Sequence, residues 1–173
     1  EAGNLMEWVV ELVLKRAGVF IEKQKWVSYQ YPGLLEVTGK LDHLAGGKID
    51  WEKALVEVKS LELPDFFNRA TTAIIAHFKE KFPDGLKEIV IEVKSCAAIQ
   101  FDARERTNQP QPQHALQIFH YLKSLNMPEG HIVYICKDDL RMIEFGVLNP
   151  SPIEDKYKTD IEKMTNYIRT KTR

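Results

Sequence analysis

Ile89-Val90-Ile91-Glu92-Val93-Lys94-Ser95 is the stretch on which the fold of this chain turns. Its apolar run reads as a strand, and side chains alternate along a strand. Ile89, Ile91 and Val93 then share one face, while Glu92 and Lys94 share the other. An acid and an ammonium group thereby stand side by side in a segment apolar enough for the centre of a sheet. Charges in such a place are costly unless they are paired or bound to metal. Clusters of this kind mark candidate functional sites. A plain cross-strand ion pair on a half-solvated sheet is the competing explanation.

Outward from this strand, the chain reads as alternating helices and strands. Asn4 to Ala17 has the pattern of a buried helix, ended by Gly18. A strand, bent if continuous, is expected over residues 19–30, and Tyr31-Pro32-Gly33 marks a turn. A second strand follows from Leu34 to Leu44 and ends at Gly46-Gly47. Ala54 to Leu61 reads as strand-like. Pro64 then opens a helix whose apolar stripe is Phe67, Ala70, Thr71, Ile74 and Phe78. The segment 104–113 is polar, and Pro110 and Pro112 predict an extended course. Gln113 to Asn126 predicts a helix with core face Ala115, Ile118, Phe119, Leu122 and Leu125. His131 to Cys136 and Arg141 to Val147 predict a strand pair. A last helix presents Ile153, Tyr157, Ile161, Met164 and Ile168, with a basic end at Arg169, Lys171 and Arg173. That order implies an α/β layered domain rather than a bundle or barrel.

The 173 residues suit one domain, 44% of them are hydrophobic, and no apolar run approaches the ~20 residues of a membrane span. The N-terminus shows no secretory pattern. A net charge of −1 argues against a protein that coats nucleic acid over its whole surface. It leaves room for a local basic groove beside an acidic site. The only cysteines, Cys96 and Cys136, lie in apolar strands and read as buried free thiols of a reducing compartment. Two cysteines cannot supply the four thiolates of an iron–sulfur cluster.

Two further elements carry chemistry. Asp42, in Gly39-Lys40-Leu41-Asp42, sits near a strand end where aspartate is unfavourable. It is either a turn-starting residue or a hard oxygen ligand for Mg²⁺ or Mn²⁺. His114, Gln117 and Tyr121 share a helix face distinct from the apolar stripe, which is either an ordinary polar face or a functional one.

Taken in order, Gly39-Lys-Leu-Asp42, Glu92-Val-Lys94 and Gln117-Ile-Phe-His-Tyr121 resemble the RecB-like branch of the PD-(D/E)xK nuclease superfamily, most of all its phage-type exonucleases. The resemblance spans residues 4–147. It implies a restriction-endonuclease-like core, a central mixed sheet flanked by helices, with a strand–helix insertion at 46–86; the C-terminal helix at 150–173 lies beyond the resemblance and is read from its own pattern. It also implies a cytoplasmic enzyme of a bacterial or phage-infected cell that hydrolyses DNA, in processing, recombination or repair, with helicases or recombinases as partners. A divalent ion, Mg²⁺ or Mn²⁺, would be held by Asp42, Glu92 and the carbonyl of Val93, with Glu7 of the first helix assisting, or Glu11 in its place. Lys94 would be the catalytic base or electrostatic stabiliser. Gln117 and Tyr121 would hold the strand, and Arg104, Arg106, His114 and Lys123 would contact phosphates. Tyr121 or Phe101 would stack on a base. An endonuclease of the same superfamily, a catalytically inactive binding module, or an unrelated α/β domain with paired charges are the alternatives.

One departure needs a choice. Glu-Val-Lys-Ser occurs at 57–60 as well as at 92–95, and the first copy is nearer to Asp42 in sequence. The second is preferred, because Ile-Val-Ile before it reads as a buried central strand. Iron–sulfur relatives also exist in this superfamily, and their cluster chemistry does not carry over.

Overall fold

The computed structural model describes residues 2–171, with side chains from Leu5 onward. Arg173 lies outside the described residues. Helix α1 (Ala2–Arg16) buries Met6, Val9, Val10, Val13 and Leu14, and Gly18 at φ 74° turns the chain out of it. Strands β1 (Phe20–Lys23), β2 (Trp26–Tyr29), β3 (Val37–Lys40) and β4 (His43–Gly47) follow. The two long strands expected here are thus four short ones. Gln24 takes a left-handed conformation at φ 53°, which ends β1. Its N–H donates to the Asp42 carbonyl at 3.0 Å, and the Leu41 N–H donates to the Lys25 carbonyl at 3.1 Å. A single hairpin therefore bends at Gln24 and Asp42, and its two halves join different sheets. β1 pairs with β4, and β2 pairs with β3 as a separate ribbon.

The segment 46–86 departs from expectation. It holds two helices, α2 (Trp51–Lys59) and α3 (Asp65–Lys81), and no strand, so the strand–helix insertion is corrected to helix–helix. Val56, Glu57 and Val58 read as alternation in sequence, yet Trp51, Ala54 and Val58 are the buried set. That spacing is helical. Asp50 starts the helix by accepting from the Lys53 N–H at 3.0 Å. The α3 stripe behaves as read, with Ala70, Thr71, Ile74 and Phe78 buried.

Strand β5 (Leu86–Cys96) is the central strand of the five-stranded sheet β1-β4-β5-β6-β7. It runs antiparallel to β4 and parallel to β6 (Glu129–Cys136), and β7 (Met142–Leu148) closes the edge antiparallel to β6. Helix α4 (Ala98–Thr107) occupies most of the segment expected to be extended. Only residues 108–111, between α4 and the start of α5 (Pro112–Leu125), are non-helical; Pro112 sits in the first turn of α5, where its missing N–H costs nothing. Helix α6 (Ile153–Lys171) ends the chain.

Two cores lie on opposite faces of the sheet. Helices α1, α2 and α3 pack with Ile89, Ile91, Val93, Val133 and Ile135. Helices α4, α5 and α6 pack with Val90, Cys96, Ile132, Tyr134 and Cys136. Cys96 and Cys136 are free, buried and register partners. The last helix buries Tyr157, Ile161 and Thr165, whereas Met164 and Ile168 of the expected stripe are 50% and 41% exposed. Thr165 earns its place by accepting the Leu35 N–H at 3.1 Å. No described helix is long and apolar enough to cross a membrane.

Candidate active site

The bend that divides β3 from β4 decides where Asp42 goes. Being out of the ladder, Asp42 turns its carboxylate towards β5, where Oδ2 accepts the Val93 N–H at 2.9 Å. That bond ties the hairpin to the central strand between Glu92 and Lys94. Glu92 is fully buried, and Lys94 donates to its Oε1 at 2.5 Å. The other oxygen, Oε2, is buried with no hydrogen-bond partner.

The carboxylates are electrostatically strained as a group. Burial, and then the negative charge of Asp42, push Glu92 up to about 7. Asp42 is also raised, chiefly by burial, against the opposing pull of the Val93 N–H and Lys94. Glu7 is raised by burial and by Asp42. Lys94 is the one cation that acts on all three acids, with Lys40 reaching Glu7, and burial still outweighs these attractions at each. Glu7 reaches the site from α1, lining with Asp42, His43, Gln24 and Glu11 a cavity of about 220 Å³. Glu11 is not a free ligand, because Lys15 and Lys23 both hold it, at 2.5 and 2.8 Å.

Gln117 and Tyr121 are near the site but not open to it. Gln117 donates to the Tyr121 hydroxyl at 2.7 Å, and that hydroxyl donates to the Lys40 carbonyl at 2.8 Å. They tether α5 to the strand just before Asp42. The close approach explains Gly39: a Cβ there would lie 2.8 Å from the Tyr121 ring and 2.9 Å from that of His120. Tyr121 is only 2% exposed, and Phe101 is buried beneath the Arg141 guanidinium, so neither ring is open to a base. The exposed aromatic nearby is Trp26, 71% exposed and the register partner of Lys40.

The expected phosphate contacts are scattered. Arg104 and His114 line a second cavity that begins at Lys94. Arg106 is exposed on α4. Lys123 is engaged elsewhere, pairing with Glu154 at 2.7 Å. Sequence reading missed His43, Gln24 and Lys23 around the first cavity; no local pattern marks them, because the bend at Gln24 is what brings them there.

Among the described residues, no three histidine, cysteine or carboxylate side chains come together as a group able to hold a metal ion. Asp42 and Glu92 are two, and the remaining donors would be a backbone carbonyl, water and substrate. This donor set is all hard oxygen, and the unpartnered Glu92 Oε2 is an acceptor in want of a cation; both suit Mg²⁺ or Mn²⁺, which bind through one or two carboxylates and keep several waters.

No protein-family model matches this chain, and no curated protein matches it. Solved structures do. The crystal structure of SSO0001 is similar at TM-score 0.52 and 17% identity, over 94% of this chain and 59% of that one. The crystal structure of an alkaline exonuclease (LHK-Exo) from Laribacter hongkongensis is similar at TM-score 0.48 and 11% identity, over 92% of this chain and 66% of that one. The chain spans less than two thirds of the length of either. Identities this low speak of fold alone, and the fold is α/β with a central mixed sheet flanked by helices, matching a restriction-endonuclease-like core.

Proposed function

We propose that this chain is a divalent-metal-dependent deoxyribonuclease of the PD-(D/E)xK type, an exonuclease of the RecB-like, phage-type branch that degrades DNA from its ends. One observation carries the proposal: two buried carboxylates and a lysine converge from the hairpin bend and the central strand, with Glu92 Oε2 left unpartnered. A sheet that needed only stability would not bury two carboxylates against one ammonium, since each unpaired buried charge costs roughly several kcal/mol.

In this proposal Asp42, Glu92 and the Val93 carbonyl hold Mg²⁺ or Mn²⁺, and Glu7 assists directly or through water. The ion would acidify water and neutralise charge on the scissile phosphate. The Val93 N–H holds Asp42, the α5 tether holds the strand just before it, and Lys94 holds Glu92. Lys94, on the same strand face as Glu92, orients the attacking water or stabilises charge at the phosphate. Gln117 and Tyr121 act as positioning residues for Asp42. Arg104 and His114 take the DNA backbone, the exposed Arg106 of α4 adds positive charge outside the cavity, and Lys123 contributes once released from Glu154.

The test offers linear and covalently closed circular DNA to the protein with Mg²⁺, with Mn²⁺ and with EDTA. Metal-dependent loss of linear DNA alone, absent in Asp42→Ala, is the expected result. Cutting of closed circles would make the enzyme an endonuclease. DNA binding without any metal-stimulated cleavage would make the domain a binding module and end the proposal.

A further inference from the structure

The two edges of the five-stranded sheet are built differently. Strand β1 is four residues long, carries Glu22 and Lys23, and is broken by a register shift between Phe20 and Glu22. Shortness, charge and a bulge are the usual guards of an open edge. Strand β7, Met142–Leu148, has none of these guards. Its register with β6 is unbroken, and its one charge, Glu144, turns inward to His131 and His77. The Cys136 N–H donates to the Arg141 carbonyl, and the Asn149 N–H donates to the Pro128 carbonyl. Hydrogen bonding alternates along an antiparallel strand. Ile143, Phe145 and Val147 therefore exchange bonds with β6, while Met142, Glu144, Gly146 and Leu148 turn their N–H and C=O groups outward. Among the described residues nothing pairs with those outward groups.

Two residues on this edge are unexplained by the fold of a single chain. Gly146 lies outside the left-handed region, and a Cβ there would come no nearer than 3.9 Å to Glu129 Oε1 and His131 Cε1. Neither conformation nor internal packing calls for glycine, and glycine weakens a strand. It marks places where another backbone or its side chains come close. Leu148, two residues on and on the same face, is 57% exposed. On the opposite face Val147, Pro150, Pro152 and Ile153 help to line an apolar cavity of about 330 Å³, with no charged residue in its wall.

We infer that β7 is a self-association surface, which pairs antiparallel with β7 of a second copy about a two-fold axis at Gly146 and joins two sheets into one. The outward groups set the register. With Gly146 opposite its own copy, Glu144 falls opposite Leu148, and each of these pairs exchanges hydrogen bonds in both directions. Each Leu148 then lies diagonally across from the other copy's Gly146, over the space that the missing side chain leaves. Ile143 of the second copy falls opposite Asn149, beside the apolar cavity. A second copy suits this edge because a two-fold contact is self-complementary. Two edges without free charge meet, and the one carboxylate on each is already hydrogen-bonded to histidines. A paired strand edge buries less than the roughly 1,200 Å² of a standard interface, so association is weak, with a Kd on the order of 100 µM. Strand β6 stands between β7 and the strand that carries Glu92 and Lys94, so pairing leaves both acidic centres open.

The experiment is sedimentation equilibrium from about 10 µM to about 1 mM protein, across which monomer should give way to dimer by mass action. Leu148→Lys, which sets a cation on each side of the axis, is expected to weaken association by about tenfold or more. Val56→Lys makes the same exchange on the exposed surface of α2 and should leave association unchanged. Amide exchange followed by NMR locates the contact. Between about 50 µM and about 1 mM protein, exchange of the Gly146 and Leu148 N–H groups should slow by about threefold, while the Phe145 and Val147 N–H groups, bonded to β6, are protected in both samples. A chain that stays monomeric throughout overturns the inference and leaves the edge to a strand of another protein. Association that survives Leu148→Lys, or that leaves the Gly146 and Leu148 amides exchanging at one rate, places the contact elsewhere and equally overturns it. Should Leu148→Lys fail to fold, amide exchange in the wild-type chain decides alone. No readout here involves DNA or metal, so the outcome is independent of the nuclease proposal.

Discussion

Glu57-Val58-Lys59-Ser60 closes helix α2 near the surface, whereas Glu92-Val93-Lys94-Ser95 runs through the middle of the sheet. In the first copy Glu57 pairs loosely with Lys53 at 3.8 Å, Lys59 is exposed, and Ser60 donates to the Glu57 carbonyl. These are ordinary helix-end contacts worth little each. In the second copy the same glutamate is fully buried, the lysine is held against it, and a second acid, Asp42, arrives from another segment. The difference teaches that the letters carry no chemistry until burial does. In water an acid and a lysine screen each other cheaply; inside the sheet their charges must be matched, and here they are not. A control exists on the other face of the same sheet. Burial works to raise Glu144, yet hydrogen bonds from His131 and His77, at 2.6 and 3.1 Å, outweigh it and hold Glu144 at about 2. Glu144 is a buried glutamate with its needs met, and Glu92 is one without.

The largest expected contrast between the two copies is in rate. Lys94→Ala should lower metal-dependent DNA degradation by about a thousandfold, the scale of a lost acid–base or electrostatic group. Lys59→Ala should leave it unchanged. Degradation rates on one linear substrate check this, and the reverse pattern would move the site to helix α2.

Metal affinity comes next. Calorimetry with Mn²⁺ should show binding to wild type and to Glu57→Gln, and none to Glu92→Gln under the same conditions. Equal titrations for both variants would mean that Glu92 is a structural residue only.

Stability against pH should then distinguish the glutamates themselves. In EDTA, Glu92 has a folded pKa of about 7 against an ordinary 4.5, so the folded state holds a proton that the unfolded chain has lost over that interval. Its contribution therefore falls as pH rises from about 4.5 to 7. Glu144 is displaced the other way, to about 2, and its contribution rises as pH climbs from about 2 to 4.5. Urea midpoints across both windows should show the wild-type decline flattened in Glu92→Gln and the acidic rise flattened in Glu144→Gln. Glu57→Gln should alter neither. A wild-type midpoint that does not decline above pH 4.5 would contradict the electrostatic strain assigned to Glu92.

The smallest effect belongs to the tether. Tyr121→Phe removes the bond to the Lys40 carbonyl and should cost about 1 kcal/mol of stability. Cleavage should slow a few-fold through a looser Asp42, with KM nearly unchanged. A large rise in KM with normal kcat would instead make Tyr121 a strand-binding residue, despite its burial.

Much of the architecture was legible in local pattern. The alternation in 89–95, the stripe of Phe67 to Phe78 and the core face of α5 each state a period, and burial follows the period. The side of β5 on which Glu92 and Lys94 stand was readable for the same reason. Misreadings came where two periods compete over few residues. Residues 54–61 alternate like a strand, but Asp50 and the Trp51, Ala54, Val58 spacing make a helix of them. Prolines 110 and 112 suggested an extended segment, while α4 formed without a clear apolar stripe to announce it.

By itself the sequence determined the periodic elements, the apolar faces and the presence of an acid and a lysine on one strand face, because these depend on residues only a turn or a pleat apart. Tertiary structure alone decided that the hairpin bends at Gln24, that Asp42 meets the Val93 N–H, that Tyr121 is spent on Lys40, and that Arg104 is left without an acid. Those outcomes depend on contacts between distant segments and on how much water each charge loses, and no stretch of neighbouring residues encodes either.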